Sequence, residues 1–330
     1  MSGDEQLLAH AEHSIAVGSK SFAAASRLFD PVTRRSAVLL YAWCRHCDDV
    51  IDGQQAGHQA SVLETEEARL RLAGLYQQTA AACADQPVTD PAFAALREVA
   101  RRHGVPQAEA FDLLAGFEQD VAGQRYQTLE QTLGYCYHVA GVVGLMMARV
   151  MGVRDDPVLD RACDLGLAMQ LTNIARDIVD DAKVGRCYLP QAWLDEFAIT
   201  AEQLAEPRHR TAVARMGTRL VQQAEPYYAS AQAGLSALPW RSAWAVATAG
   251  SVYRRIGLKI LAEGDAAWDG RLSTSKGEKL AAVASGLWQA LSRGWRRYPP
   301  RALQLWQRPL AARATVHRDA HAAAPSTAQP

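Results

Sequence analysis

"QLTNIARDIVDDAKVGRCYLP" (residues 170–190) reads as a buried helix that carries three carboxylates, Asp177, Asp180 and Asp181, near its end. Asn173, Asp177 and Asp181 are spaced four apart, so on a helix they form one polar line, with Gln170 adding an amide one turn earlier. "RHCDDVID" (45–52) repeats the pattern: Asp48 and Asp52 share a face at the end of the apolar run "SAVLLYAWC" (36–44). Two carboxylates about 6 Å apart repel by about 3 kcal/mol at an effective dielectric near 20, and by about 0.7 kcal/mol in water. Acidic pairs on otherwise apolar helices therefore need water or cations around them.

The bland explanation is an exposed helix end laced by i to i+4 ion pairs, Arg45 with Asp49 and Arg176 with Asp180, each worth a few tenths of a kcal/mol. The alternative is a hard cation. Mg²⁺ takes one or two carboxylates per site and completes its octahedron with water and phosphate oxygens, so two DxxxD clusters on facing helices imply a diphosphate substrate. Arg45 and Arg176 suit forked pairing with diphosphate oxygens. "GSKSF" (18–22) offers Ser19, Ser21 and a lysine near a helix start, where free N–H groups favour anions; an ordinary N-cap also accounts for it.

Ala, Leu, Gln, Glu and Arg recur at helical spacing and serial alternating β-branched runs are absent, so the expected fold class is all-α. The spacing predicts helices over 4–18, 20–28, 32–52, 64–84, 90–103, 106–122, 129–152, 156–181, 190–195, 200–204, 208–236, 240–264 and 274–298. Asp30-Pro31, Pro87, Gly104, Pro157, Pro190, Pro207 and Pro239 punctuate them. No low-complexity linker divides the chain, which gives one domain over 1–305 and a tail over 306–330, disordered after about 312. "YCYHVAGVVGLMMARV" (135–150) mixes Ala140, Gly141 and Gly144 with bulky apolar residues. Such a stretch permits close helix packing, or a channel for a long apolar ligand.

Of the 330 residues 49% are hydrophobic, ample for a core, and 35 Lys plus Arg balance 35 Asp plus Glu, so no global charge argues for nucleic acid. The chain's start lacks a basic segment followed by an apolar core, and no stretch reaches a spanning helix; the expected location is cytoplasmic. The six cysteines are then reduced core residues, and the lone CxxC at Cys44 and Cys47 lacks the partners of a zinc site. From Arg271 to Arg318, ten Lys or Arg face a single acid, Glu278, with Trp288, Trp295 and Trp306 interleaved. That is either a solvated basic face or a peripheral contact with anionic lipid at the inner face of a membrane.

These segments resemble the squalene and phytoene synthase family. "YCYHVAGVVGLMMARV" and "LGLAMQLTNIARDIVDDAKVGRCYLP" (165–190) are similar to its two signature segments and "YAWCRHCDDVID" (41–52) to its first aspartate-rich motif, in a likeness that runs from about residue 14 to "LWQRPL" (305–310) and is nearest the bacterial, phytoene-forming branch. The resemblance implies an isoprenoid synthase fold, a single helical domain around a central cavity with aspartates on opposite walls and Mg²⁺ between them. It implies that Asp48, Asp52, Asp177 and Asp181 hold metal with Asn173 assisting; that Ser19, Ser21, Tyr41, Arg45, Gln170, Arg176, Tyr253 and Arg271 contact or surround the diphosphates; and that Tyr135 steers the cation or its proton loss.

The implied reaction joins two geranylgeranyl diphosphates head to head (C1 to C1′) through prephytoene diphosphate to phytoene, in carotenoid biosynthesis. No NADPH is expected; preference for Mg²⁺ or Mn²⁺, and dependence on a nucleotide such as ATP, are not legible. Contact with other enzymes of the carotenoid pathway is a further implied partnership. The nearest alternative is a C30 dehydrosqualene or squalene synthase using farnesyl diphosphate; more distant ones are a chain-elongating prenyl transferase and a non-catalytic helical scaffold.

Overall fold

The sequence places helix-starting residues where the chain must turn. Asp30 accepts hydrogen bonds at Oδ1 from the amides of Val32 (3.1 Å) and Thr33 (3.0 Å), and Pro31 fills the first helical position. Asp90 and Pro91 do the same for a later helix, and Ser275 with Glu278 closes a reciprocal capping box. The computed structural model describes residues 3–53 and 65–309. Its helices are α1 (Gly3–Gly18), α2 (Lys20–Ser26), α3 (Pro31–Asp52), α4 (Thr65–Cys83), α5 (Pro91–His103), α6 (Gln107–Val121), α7 (Leu129–Cys136), α8 (Val142–Val150), α9 (Asp156–Lys183), α10 (Gln191–Glu196), α11 (Arg210–Gly234), α12 (Trp240–Glu263) and α13 (Lys276–Ser292). The fold is all-α: the one strand-like feature among the described residues is a single bridge between Tyr126 and Pro190.

α9 is the axis of the molecule. Ala168, Leu171, Thr172 and Ala175 are fully buried beneath α11, α12 and the α7–α8 segment. The Thr172 hydroxyl is satisfied by the Ala168 carbonyl (2.9 Å) and by the Tyr228 hydroxyl (2.9 Å).

Most helix ends fall within about two residues of expectation, the usual spread of such boundaries. Two differ. The last helix stops at Ser292 rather than 298, where the Ser292 hydroxyl donates to the Trp288 carbonyl (2.7 Å) and Gly294 follows. The expected continuous helix 129–152 is interrupted by a π turn over Tyr137–Gly141. By length and composition Leu129–Val150 could cross a membrane, which the sequence reading did not find, but 61% of its most apolar window is buried inside the protein. It packs as a core segment.

The small residues of this segment serve close approach. A Cβ on Gly144 would lie 2.4 Å from the Ala162 carbonyl oxygen, and one on Gly166 of α9 would lie 2.3 Å from that of Ala140. Ala140 and Gly144 do border the central cavity, but Gly141 does not, and a Cβ there would meet the Leu167 side chain at 2.7 Å. Of the two readings open in the sequence, helix packing alone claims Gly141, while Gly144 both admits α9 and borders the cavity.

Past α13 a strap over 299–309 returns to the start of α9. Arg301 grips the buried Asp164 (2.7 and 2.8 Å), which also accepts from the Ser230 hydroxyl, and buried Arg308 bonds Asp160 (2.6 Å) and Asp156 (2.5 Å). The strap carries packed structure past the boundary drawn at 305; the tail from 310 on lies outside the described residues.

Candidate active site

α3 and α9 both deliver carboxylates at their C-terminal ends, where the helix dipole already concentrates negative charge and acids are unfavourable. In α3 the Arg45 guanidinium forks between Asp48 (2.9 Å) and Asp49 (2.7 Å). In α9 Arg176 donates from Nε to Asp177 (2.8 Å) and from its terminal nitrogen to the other oxygen of the same carboxylate. The Arg176–Asp180 pair of the bland reading does not form, because exposed Asp180 accepts from Lys183 (2.9 Å) instead. The Arg271 guanidinium, reaching in from the segment between α12 and α13, lies 3.6 Å from Asp177.

These ends meet at one cavity of about 980 Å³. Ser19, Tyr41, Arg45, Asp48, Tyr135, Gln170, Asn173, Arg176, Tyr253 and Arg271 all border it. Asp177 and Asp181 are not among the residues that border it, but Asp177 is held by the bordering Arg176, and Asp181 is within electrostatic reach of the bordering Asp120, Arg176 and Arg186. The side chains of Ser21 and Asp52 lie outside the described residues. Ser19 is an N-cap as well as a border residue, its Oγ accepting the Phe22 amide (3.2 Å). The Phe22 ring stands between Tyr253 (5.6 Å between centroids) and Tyr41 (6.2 Å).

Along each helix the cavity wall changes character. On α3 it runs from Ala37 to Asp48, about 16 Å at 1.5 Å per residue, and on α9 from Val158 to Arg176, about 27 Å. α8 contributes Val143 and Met147, Met151 follows just past its end, and α12 runs from Ala245 to Ile256. One end is charged and hydrogen-bonding; the other is aliphatic, closed by Phe29, Ala37 and Ala245, which form a cluster of their own with Met147 and Met151. The shape suits an amphiphile with an anionic head and a long hydrocarbon tail.

Electrostatics mark the charged end as incomplete. Burial, and then the neighbouring Asp177, push the Asp181 carboxyl up to about 7. Burial opposes the charge on Arg176, but the hydrogen bonds and field of Asp177 outweigh it and keep the guanidinium ionised. Asn173 gives its amide nitrogen to Gln170 (3.3 Å), which leaves a buried Oδ1 with no partner. An unpartnered oxygen on Asn173 and a destabilised carboxylate on Asp181, about two turns apart along α9 with Asp177 between them, are what divalent cations would satisfy, so the donor set fits them. No three His, Cys, Asp or Glu side chains converge among the described residues.

Tyr135 on α7 is buried, and its hydroxyl donates to Asp120 (3.1 and 3.2 Å), as does that of Tyr188 (2.9 Å). The two rings stack at 4.7 Å. Burial, reinforced by Asp120, holds both phenols well above their usual range, so both stay neutral. Asp120, Arg186 and Tyr188 border the cavity and were not singled out from the sequence. Arg186 and Tyr188 sit in "GRCYLP", whose place just past the acidic line was the available signal. Asp120 had none, because α6 also carries Glu109, buried against Arg149 (2.7 Å), and Asp112, bonded by the Tyr137 hydroxyl (2.5 Å).

The family model described as "Squalene/phytoene synthase" matches residues 15–278. A protein named 15-cis-phytoene synthase from Pantoea ananas is 58% identical over 304 residues, covering 92% of this chain and 98% of the relative. A Paracoccus protein of the same name is 54% identical, covering 83% of this chain and 89% of the relative. Among solved structures, a dehydrosqualene synthase in complex with ligand superposes with a TM-score of 0.78 at 27% identity, covering 88% of this chain and 98% of that one. The squalene synthase HpnC of Alicyclobacillus acidocaldarius shares the fold with a TM-score of 0.67 at 23% identity, covering 79% and 96%. With its matching model, its near relatives and its acid-ended cavity, the chain belongs to the squalene/phytoene synthase family.

Proposed function

We propose that this protein is a phytoene-forming prenyltransferase, joining two geranylgeranyl diphosphates head to head through prephytoene diphosphate and releasing two diphosphates. The observation that carries the reading is the single cavity that passes from a carboxylate and guanidinium end to an aliphatic end along α3, α9 and α12. Identity of 58% to a protein named 15-cis-phytoene synthase supports the C20 substrate over the C15 alternative.

Asp48, Asp52, Asp177 and Asp181, with the free Oδ1 of Asn173, would hold divalent metal, Mg²⁺ or Mn²⁺. When bound, such an ion neutralises diphosphate and lowers the cost of breaking its C1–O bond. Arg45, Arg176 and Arg271 add fixed positive charge around the departing diphosphate, and Ser19, Tyr41 and Tyr253 offer hydroxyls there. The aliphatic wall keeps water from the carbocation that ionisation creates. Tyr135, kept neutral and oriented by Asp120, borders the cavity, where its phenol can direct the cation and its final proton loss. Because the reaction ends by losing a proton, it needs no reductant such as NADPH. A cytoplasmic location goes with this reading: the charged substrates cannot cross a bilayer unaided, so the enzyme works on whichever side they are supplied.

The test supplies purified protein with Mg²⁺ and geranylgeranyl or farnesyl diphosphate, with and without NADPH, and identifies products by mass. Phytoene from the C20 substrate in both conditions is expected. Turnover of the C15 substrate alone, or a reduced product that appears only with NADPH, would overturn the proposal.

A further inference from the structure

α13 crosses α12 with its inner face, where Ala282, Gly286 and Ala290 are buried. Its outer face is also apolar. Leu280 (72% exposed), Ala284, Trp288 (61%) and Leu291 (58%) follow one another at steps of four, four and three, and so form one stripe about 16 Å long, and Trp295 (84%) lies exposed in the turn just past the helix end. A helix apolar on both sides, with one side open, has a second surface to bury.

The charges around the stripe say which. Of the ten basic residues counted from Arg271 to Arg318, Arg301 and Arg308 are withdrawn into ion pairs with α9, and Arg313 and Arg318 lie outside the described residues. Arg271 lies at the cavity, 3.6 Å from Asp177, which leaves Lys276, Lys279, Arg293, Arg296 and Arg297 along α13 and just past its end. The single acid, Glu278, is already bonded by the Ser275 amide (2.7 Å) and lies 3.4 Å from Lys259. Trp306, the third tryptophan of the run, packs against Tyr137 (5.3 Å) and takes no part.

We infer that the outer face of α13 docks the protein on an anionic bilayer, with Trp288 and Trp295 at the depth of the headgroups and the lysines and arginines over them. The stripe also adjoins the cavity: Ser273, Thr274 and Lys279 border it, and Leu280 is the next residue. On the proposed function, whose product is a hydrocarbon without any polar group, docking here sets the cavity beside the one phase that dissolves the product.

The experiment needs no substrate, so it stands apart from the assay of the reaction. The full chain is floated with phosphatidylcholine vesicles with and without added phosphatidylglycerol, at low and high salt. Binding should require the anionic lipid, fall as salt screens the charges, and drop by at least about tenfold in a Trp288→Ser, Trp295→Ser double variant. Trp240→Ser, at an exposed tryptophan off the stripe, should bind as the parent does, and Arg296→Gln with Arg297→Gln should lose the preference for anionic lipid. Thermal unfolding of each variant, expected to match the parent, checks that the fold persists. Absence of vesicle binding, full binding by the double variant, or a dimer on size exclusion that the double variant abolishes would each overturn the inference, the last by showing that a second copy covers the stripe.

Discussion

Replacing Asp181 by Asn should make the metal-free protein more stable, and by an amount that depends on pH. The Asp181 carboxyl is raised from an ordinary 3.8 to about 7, first by burial and then by Asp177. A folded-state value above the unfolded one means that the native chain keeps a proton which the unfolded chain has released. Native stability therefore falls as pH rises from about 4 to about 7, and the full penalty persists above that window. At about 1.4 kcal/mol for each unit between the two values, the penalty reaches about 4 kcal/mol at pH 8 but only about 1.7 kcal/mol at pH 5. Asn carries no charge at either pH.

Urea unfolding in chelator at the two pH values reads this difference directly. The advantage of Asp181→Asn over the parent should widen by about 2.5 kcal/mol between pH 5 and pH 8 at most, less where water and neighbouring arginines relax around the carboxylate. Mg²⁺ with inorganic diphosphate should then stabilise the parent more than the variant, which lacks the ligand. An advantage that is the same at both pH values, or a variant destabilised throughout, would refute the claim that α9 holds an uncompensated carboxylate.

Asp48→Asn should lower phytoene formation by at least about 100-fold, measured as product per enzyme, while leaving thermal stability within about 1 kcal/mol, since Asp48 is a partly exposed cavity residue. Gly144→Ala and Gly166→Ala should each destabilise by about 1–3 kcal/mol in denaturant unfolding, because each new methyl meets a backbone carbonyl that cannot swing away. Glu109→Gln should cost about 3–5 kcal/mol by leaving Arg149 buried against an uncharged partner, again read by denaturant unfolding. Tyr135→Phe should fold normally but change the ratio of prephytoene diphosphate to phytoene, read by mass spectrometry, since it removes the hydroxyl that Asp120 orients.

The helical class and the charged half of the site were legible because both depend on spacing within one helix. Asn173, Asp177 and Asp181 fall on one line of α9 whatever packs against it. What escaped depends on partners remote in sequence. Asp120 is indistinguishable from Glu109 and Asp112 until Tyr135 and Tyr188 close on it and Arg149 and Tyr137 close on the others. The π turn at 137–141 contains no proline, and its one glycine, Gly141, reads as a packing residue, so the segment reads as plain helix. That Gly144 admits another helix as well as bordering the cavity shows only once the Ala162 carbonyl closes on it. In the same way Arg301 and Arg308 look like Arg296 and Arg297 until α9 supplies carboxylates for one pair and none for the other.

One feature joins the legible part of the site to its energetics. α3 has no basic residue in its last turn, and Lys183 in the last turn of α9 serves the exposed Asp180 rather than the acidic line. A helix end that gathers acids and omits the lysines that would normally balance them is a costly way to fold. The pattern that stands out in the sequence and the raised proton affinity of Asp181 in the fold are therefore one fact seen twice, and on the proposed function the charge that completes these helix ends would arrive from outside the chain, with the substrate.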